Sequence, residues 1–176
     1  MNWYKKAQEI YRGDPKPINI QDYDAEYGTK ELGKELGSSA AYGPGIYFNN
    51  KEDIARLYGE NITKLKLNNA KILTANNKPF TYQQITKILN GVSKEKLEEA
   101  ATNWDENYRV GKDLLIKSIL AENNIINQLM AIWAEVFYHQ NPNAFMSLMT
   151  SNGIDGFAIP KDDSIYYVIY NKSVLK

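Results

Sequence analysis

Two tyrosines, Tyr47 and Tyr58, stand eleven residues apart in a stretch with turn, strand and helix signals. Residues 43–45 (GPG) predict a turn, because proline fixes φ and glycine permits positive φ. The β-branched and aromatic run 46–48 predicts a short strand. A strand packed beside its following helix can hold two phenol rings a few ångströms apart. Such a slot suits one flat aromatic guest, best a cationic one. Taken alone, two tyrosines favour an ordinary role at the edge of the core.

The helix that carries Tyr58 is expected to begin after residue 50. Asn49 or Asn50 can cap it, and Glu52 and Asp53 fall in its first turn, where acidic side chains suit the helix dipole. Three residues at helical spacing are expected to form its apolar face, namely Ile54, Leu57 and Tyr58.

The pattern G-x-G-I-Y-F over residues 43–48, followed by A-x-x-Y over 55–58, resembles the nicotinamide-binding core of the ADP-ribosyltransferase superfamily. It is closest to the diphtheria-toxin and poly-ADP-ribose-polymerase branch. The resemblance implies that Tyr47 and Tyr58 enclose the nicotinamide ring of NAD. It also implies that Ala55 replaces a serine that binds the carboxamide, so this hydrogen bond should be missing.

The first strand is predicted over residues 8–12, with a turn over 12–15. Its Arg12-Gly13 pair resembles the pair that ends the first strand in the superfamily. The resemblance implies that the Gly13 backbone grips the nicotinamide amide, where a Cβ would block the approach. It implies that Arg12 binds the adenosine-side ribose or the phosphates, for which a guanidinium is suited. Arginine at this place is usual in the cholera-toxin branch.

The closing strand is predicted over residues 165–170 (IYYVIY), and it resembles the last strands of bacterial and phage-encoded members. Those strands usually begin with a glutamate that binds the ribose 2′-OH and stabilises developing positive charge. Here Tyr166 takes that position. A shifted register would bring Asp163 near the ribose, and Glu122 and Glu135 are more distant alternatives. The missing glutamate implies mono-transfer, NAD hydrolysis or inactivity, and no polymer synthesis.

The fold predicted for residues 1–176 is one α+β domain with split antiparallel β-sheets of the ADP-ribosyltransferase type. Further strands are expected over 62–67, 70–74 and 153–159, by alternation and β-branched content. A mostly helical insertion is expected over 81–150, with helices over 81–90, 93–102 and 144–150 and one long helix that starts at Asp113 and is ended by residues 141–143. Residues 1–7 predict a short helix or an arm, and residues 29–36 a short helix.

Composition excludes several classes of site. Lys+Arg and Asp+Glu each number 21, so no net field attracts nucleic acid or membrane. Cysteine is absent, which excludes disulfides and thiolate chemistry. The single histidine, His139, excludes a multi-histidine metal centre, and a serine–histidine triad unless His139 serves it. No apolar run reaches membrane-spanning length and no signal peptide opens the chain, so a cytoplasmic location is expected, which allows action inside a host cell.

The function expected from the resemblance is mono-ADP-ribosylation. The chain would cleave NAD as a substrate, release nicotinamide and pass ADP-ribose to a macromolecular acceptor, expected to be a protein. No metal and no membrane partner are expected, and the resemblance points to a bacterial or phage source. The alternative is a catalytically inactive NAD-binding or protein-binding module on the same fold, such as a viral inhibitor or a toxin accessory domain.

Overall fold

A computed structural model describes residues 2–3, 8–25, 42–102 and 108–176. The chain forms two compact units. The first unit comprises the residues up to Thr74 together with Pro142–Lys176, and the second comprises Ala75–Asn141. The helix predicted over residues 29–36 lies outside the described residues.

The first unit is built on one mixed sheet of seven strands, in the order β1-β5-β6-β7-β3-β2-β4. The strands are β1 (Asn2–Trp3), β2 (Gln8–Asp14), β3 (Ile46–Asn49), β4 (Asn61–Leu67), β5 (Lys71–Leu73), β6 (Gly156–Lys161) and β7 (Ser164–Ile169). All neighbours pair antiparallel except β5 and β6. The prediction of an α+β fold with mainly antiparallel strands is therefore confirmed.

Strand β7 lies inside the sheet, between β6 and β3, as its apolar sequence predicted. Tyr167, Val168 and Ile169 are fully buried. The strand begins with a two-residue hairpin turn, because Lys161 pairs with Ser164. Asp162 in that turn has φ +52°, a conformation that aspartate tolerates better than most residues.

Strands β2 and β3 are joined at a single residue pair, Tyr11 with Asn49. By contrast, β2 pairs with β4 along its whole length, from Gln8 opposite Leu67 to Asp14 opposite Asn61. The backbone connection across the sheet is therefore narrowest between β2 and β3. Beyond Tyr11 the two strands separate, and side chains must fill the gap.

Three sequence predictions about the first unit need correction. Residues 2–3 form a strand paired with β5, where a helix or an arm was expected. Residues 12–14 belong to β2 and not to a turn, because Arg12, Gly13 and Asp14 continue the pairing with β4. The helical insertion was expected to extend to residue 150, yet α-helix Pro142–Ser151 belongs to the first unit.

The helices are α1 (Glu52–Arg56), α2 (Tyr82–Leu89), α3 (Lys94–Thr102), α4 (Tyr108–Leu120), α5 (Ile125–Glu135) and α6 (Pro142–Ser151). The prediction of one long helix from Asp113 to residues 141–143 is wrong, because α4 ends at Leu120 and α5 runs from Ile125 to Glu135. Asn124 caps α5, and its Oδ1 accepts a hydrogen bond from the Asn127 N–H at 2.9 Å. Asparagine competes with helical hydrogen bonding and favours such caps, and the apolar periodicity on both sides hid the break.

The second unit holds one buried polar side chain, Gln128, among its described residues. Its Oε1 accepts a hydrogen bond from the Phe80 N–H at 2.6 Å, and its Nε2 donates to the Phe80 carbonyl at 3.4 Å. One glutamine thus satisfies both backbone groups of Phe80 just before α2. That helix then starts with a capping box formed by Thr81 and Gln84.

Replacing Gln128 with methionine should destabilise the protein by about 1–3 kcal/mol, because two buried backbone groups lose their partner. Urea unfolding followed by circular dichroism measures the change. Gln83→Met is the matched control, since Gln83 is exposed on α2, and it should shift stability by less than about 0.5 kcal/mol. Equal effects of the two substitutions would contradict the prediction.

Candidate functional site

Helix α1 is short and follows β3 and precedes β4 along the chain. Its N-cap is Lys51, without a side-chain cap, so the prediction of an asparagine cap is wrong. Asn49 still helps the turn, because its Oδ1 accepts a hydrogen bond from the Lys51 N–H at 2.8 Å. Glu52 and Asp53 do occupy the first turn. The helix ends at Arg56 and leaves Leu57 76% exposed, so Leu57 is not part of an apolar buried face as expected.

Glycines fix α1 against β2. A Cβ on Gly13 would overlap the carbonyl oxygen of Ala55 and would come within 2.8 Å of the Gly59 oxygen. A Cβ on Gly59 would overlap the Asp14 carbonyl group. Close backbone packing of strand on helix therefore requires glycine at residue 13. This reason is independent of any ligand amide, which was the reason expected from the sequence.

Arg12 forms a buried ion pair within its own strand. Its Nε and Nη2 donate to the Asp14 carboxylate at 2.9 Å and 2.8 Å, and the two residues are 8% and 4% exposed. Its Nη1 donates to the Tyr47 carbonyl on β3 at 3.3 Å. The Tyr23 ring covers the guanidinium, with its centroid 5.1 Å from Cζ. Within the described part of the chain, these bonds use three of the five guanidinium N–H groups.

Tyr47 is fixed by its own hydroxyl. The hydroxyl donates to the Gly43 carbonyl at 2.6 Å and accepts a hydrogen bond from the Tyr42 N–H at 3.2 Å. Burial raises the pKa of the Tyr47 phenol well above its usual value, so the ring stays neutral. The G-P-G turn thus folds back onto the tyrosine that follows it and sets its orientation.

Tyr58 and Tyr166 meet through their hydroxyl groups, whose oxygens lie 3.2 Å apart. Tyr58 is 37% exposed. Burial, with the hydrogen bond from Tyr58 as the next cause, raises the pKa of Tyr166 to about 12. The Tyr166 phenol is therefore neutral near pH 7, and each of the two hydroxyls can donate one hydrogen bond and accept others.

Strand pairing places several of these residues on one face of the sheet. Tyr11 pairs with Asn49, and Asn49 pairs with Tyr166, so their side chains share a face. Because side chains alternate along a strand, Gly13 and Tyr47 share that face too. This is the face covered by α1, since the Cβ direction of Gly13 points at that helix.

The remaining predicted residues do not join this group. Asp163 is exposed in the β6–β7 turn. Glu122 and Glu135 belong to the second unit. Ala55 lies buried beneath Gly13 and presents no hydrogen-bonding side chain.

Sequence reasoning missed Asp14 and Tyr23, the partners of the guanidinium. Asp14 was read as part of a turn, although a strand that continued through R-G-D would have put Arg12 and Asp14 on the same face. For Tyr23 the sequence carries no signal, because the loop that brings it over Arg12 has no periodic pattern.

The described residues contain no group of three or more His, Asp or Glu side chains arranged to hold a metal ion. None of the described helices has the length and apolar character needed to cross a membrane.

The fold and the site define an α+β unit with a tyrosine-rich face and a buried arginine beside a break in strand pairing. Scans against protein-family models, curated proteins and solved structures find no match to this chain.

Substituting Gly13 with alanine should lower stability by about 1–3 kcal/mol through overpacking against α1. Thermal and urea unfolding measure this loss. Gly91→Ala serves as the control, because Gly91 is exposed after α2, and it should leave stability unchanged within about 1 kcal/mol. A fully stable Gly13→Ala protein would rule out the packing role of this glycine.

Replacing Tyr58 with phenylalanine should lower the pKa of Tyr166 from about 12 toward 10, because it removes one of the two main causes of the shift. NMR titration of tyrosine Cζ resonances measures this change. In the unmodified protein the raised pKa stabilises the fold below pH 10, and this contribution is lost as pH rises through 12. An unchanged pKa in the variant would mean that the hydrogen bond from Tyr58 does not contribute to the shift.

Proposed function

We propose that this protein binds NAD where β2 and β3 separate and acts as a mono-ADP-ribosyltransferase toward a macromolecular acceptor, most simply a protein. The observation that carries the proposal is that Gly13, Tyr47 and Tyr166, with Tyr58 bonded to Tyr166, lie beside one break in strand pairing on the face covered by α1, while the Arg12 side chain lies beside the same break on the opposite face. These are the residues on which the sequence resemblance to the ADP-ribosyltransferase superfamily rests. The split-sheet fold of that superfamily is part of the same proposal.

The break in pairing provides a place where a flat ring could enter. Past Tyr11 and Asn49, β2 and β3 make no further residue pair, and Gly13 and Tyr47 face the same side of the sheet beyond that point. Tyr47 is held by its hydroxyl bonds, and Tyr58 lies on the turn after α1. Rigid, neutral aromatic rings suit a cationic pyridinium such as nicotinamide.

In the proposed reaction the bond between the nicotinamide nitrogen and ribose C1′ breaks, and its electron pair leaves with nicotinamide. An acceptor nucleophile forms the new bond to C1′ and releases its proton to solvent. The Tyr166 hydroxyl would hydrogen-bond the ribose. Because it stays neutral, it supplies no negative charge to an oxocarbenium-like transition state, so we expect slow turnover.

Arg12 has a different role from the one its position first implies. The Asp14 carboxylate already neutralises its charge, so its attraction for a diphosphate is weakened. The two guanidinium N–H groups that bond no described residue would donate to a ribose hydroxyl or to one phosphate oxygen. Arg12 therefore contributes mainly by linking β2 to the Tyr47 carbonyl and only secondarily as a ligand.

The charge compensation of Arg12 by Asp14 and the neutral Tyr166 also favour a second candidate, a catalytically inactive NAD-binding module. A neutralised arginine and a neutral tyrosine in place of a carboxylate are compatible with binding without cleavage. The two candidates share a binding site and differ only in nicotinamide release.

The test compares Tyr58→Ala with Tyr82→Ala. Both tyrosines are partly exposed, 37% and 46%, and both hydroxyls make one hydrogen bond to a side chain. Tyr82 lies on α2 in the second unit, so it controls for the loss of a surface tyrosine. Nicotinamide release from NAD, with and without cell lysate as a source of acceptor, should fall at least about tenfold in Tyr58→Ala and stay unchanged in Tyr82→Ala.

NAD binding is measured in parallel by calorimetry. Binding without release, lost in Tyr58→Ala, would select the inactive module. Release that needs lysate indicates a specific acceptor, whereas release without lysate indicates water or the protein itself as acceptor. Neither binding nor release at millimolar NAD would reject both candidates.

A further inference from the structure

The outer edge of β4 is partly occupied by the last residues of this sequence. Strand β4 is the end strand of the sheet, and its inner edge pairs with β2. On its outer edge, Leu67 bridges Leu175 in antiparallel sense. The Lys66 N–H donates to the Lys176 carbonyl at 2.6 Å, and the Lys176 N–H donates back at 3.0 Å. The edge is therefore able to accept an antiparallel strand.

Two further residues of β4 continue this edge without a backbone partner among the described residues. Backbone groups of alternate residues point to opposite edges of a strand. Because those of Lys66 point outward, those of Ile62 and Lys64 point outward too. Within the described part of the chain, no backbone hydrogen bond is made to these groups from the outer side. Two N–H and two C=O groups thus extend the ladder that residues 174–176 begin.

We propose that the β4 edge from Asn61 to Leu65 is a binding site for an extended, acidic peptide segment of a partner protein. The segment adds as a strand antiparallel to β4, in line with residues 174–176. Main-chain hydrogen bonds at Ile62 and Lys64 provide the affinity, and alternate side chains provide the selectivity. This site is separate from the proposed NAD function and does not depend on it.

The side chains of β4 specify the chemistry of the segment. On one face, the Nζ of Lys64 binds the Glu9 carboxylate at 2.9 Å, and Glu9 lies directly opposite Lys66 in the pairing of β2 with β4, so the two lysines share one carboxylate. A carboxylate opposite Lys64 would be diagonal to Lys66 and within reach of it. On the other face, Thr63 and Leu65 are half-buried. From its N-terminal end, the segment is therefore expected to place an apolar residue opposite Leu65 and an acidic residue opposite Lys64. A β-branched residue then follows opposite Thr63, and an apolar residue opposite Ile62.

The same lysines exclude a second copy of this chain as the occupant. Antiparallel pairing of two β4 edges would place Lys64 and Lys66 of one copy close to those of the other. Like charges facing each other across a strand pair are destabilising, and lysines on edge strands are a common protection against self-association. By contrast, the carboxylates of an acidic strand would be attracted by Lys64 and Lys66.

The test uses two peptides, Val-Glu-Thr-Val-Ser-amide, whose first residue lies opposite Leu65, next to the position that Lys176 occupies, and the same peptide with lysine in place of glutamate. Amide hydrogen exchange by NMR should slow about tenfold at Ile62 and Lys64 when the acidic peptide binds. The amides of Thr63 and Leu65, which face β2, should not change. The lysine peptide should bind at least about fivefold more weakly in a fluorescence anisotropy titration.

Lys66→Glu should reverse the preference between the two peptides, and Lys87→Glu should leave it unchanged, because Lys87 is exposed on α2 in the second unit. Three results would overturn the proposal. The first is unchanged exchange at Ile62 and Lys64 with millimolar acidic peptide. The second is equal binding of the two peptides. The third is protection that rises with protein concentration when no peptide is present, which would identify a second copy as the occupant.

Discussion

The link on which the first unit depends is the buried guanidinium of Arg12. Backbone pairing holds β2 to β4 on one side and β3 to β7 on the other, yet β2 and β3 share only the Tyr11–Asn49 pair. Arg12 supplements that pair by bonding the Tyr47 carbonyl while Asp14 compensates its charge. A buried ion pair of this kind adds little net stability, but losing one partner costs about 3–5 kcal/mol. Asp14 is thus as necessary as the arginine that the sequence motif draws attention to.

The predictions from the sequence succeeded where the signal was local. The central strand β7 was evident from its continuous apolar run, and helices were predicted over residues 81–90 and 93–102, where α2 and α3 form. In the structure the hydroxyls of Thr81 and Ser93 accept hydrogen bonds from first-turn amides of these helices. The predictions failed where local sequence preferences favoured a structure that the chain does not form. The apolar stripe on both sides of Asn124 suggested one continuous helix. The Gly13-Asp14-Pro15 sequence suggested that the first strand ends at residue 12, whereas β2 continues to Asp14.

At the candidate site, it was easier to predict which residues are involved than which contacts each of them makes. The sequence singled out Arg12, Tyr47, Tyr58 and Tyr166, but hydrogen-bond partners depend on tertiary contacts that no local pattern encodes. Gly13 is instructive, since a glycine that resembles a ligand-contacting position is required by helix packing alone. A motif can therefore be maintained by the fold even where no ligand uses it.

The parallel pairing of β5 with β6 has a consequence for how the chain folds. Ile72 and Gly156 are direct partners although they stand eighty-four positions apart, and the whole second unit lies within that interval. Closing so long a loop early in folding is entropically costly, and contacts of high sequence separation slow folding. The helices of the second unit form from contacts that are close in sequence, so their collapse shortens the effective loop. We therefore expect early folding of residues 75–141 to speed the pairing of β5 with β6.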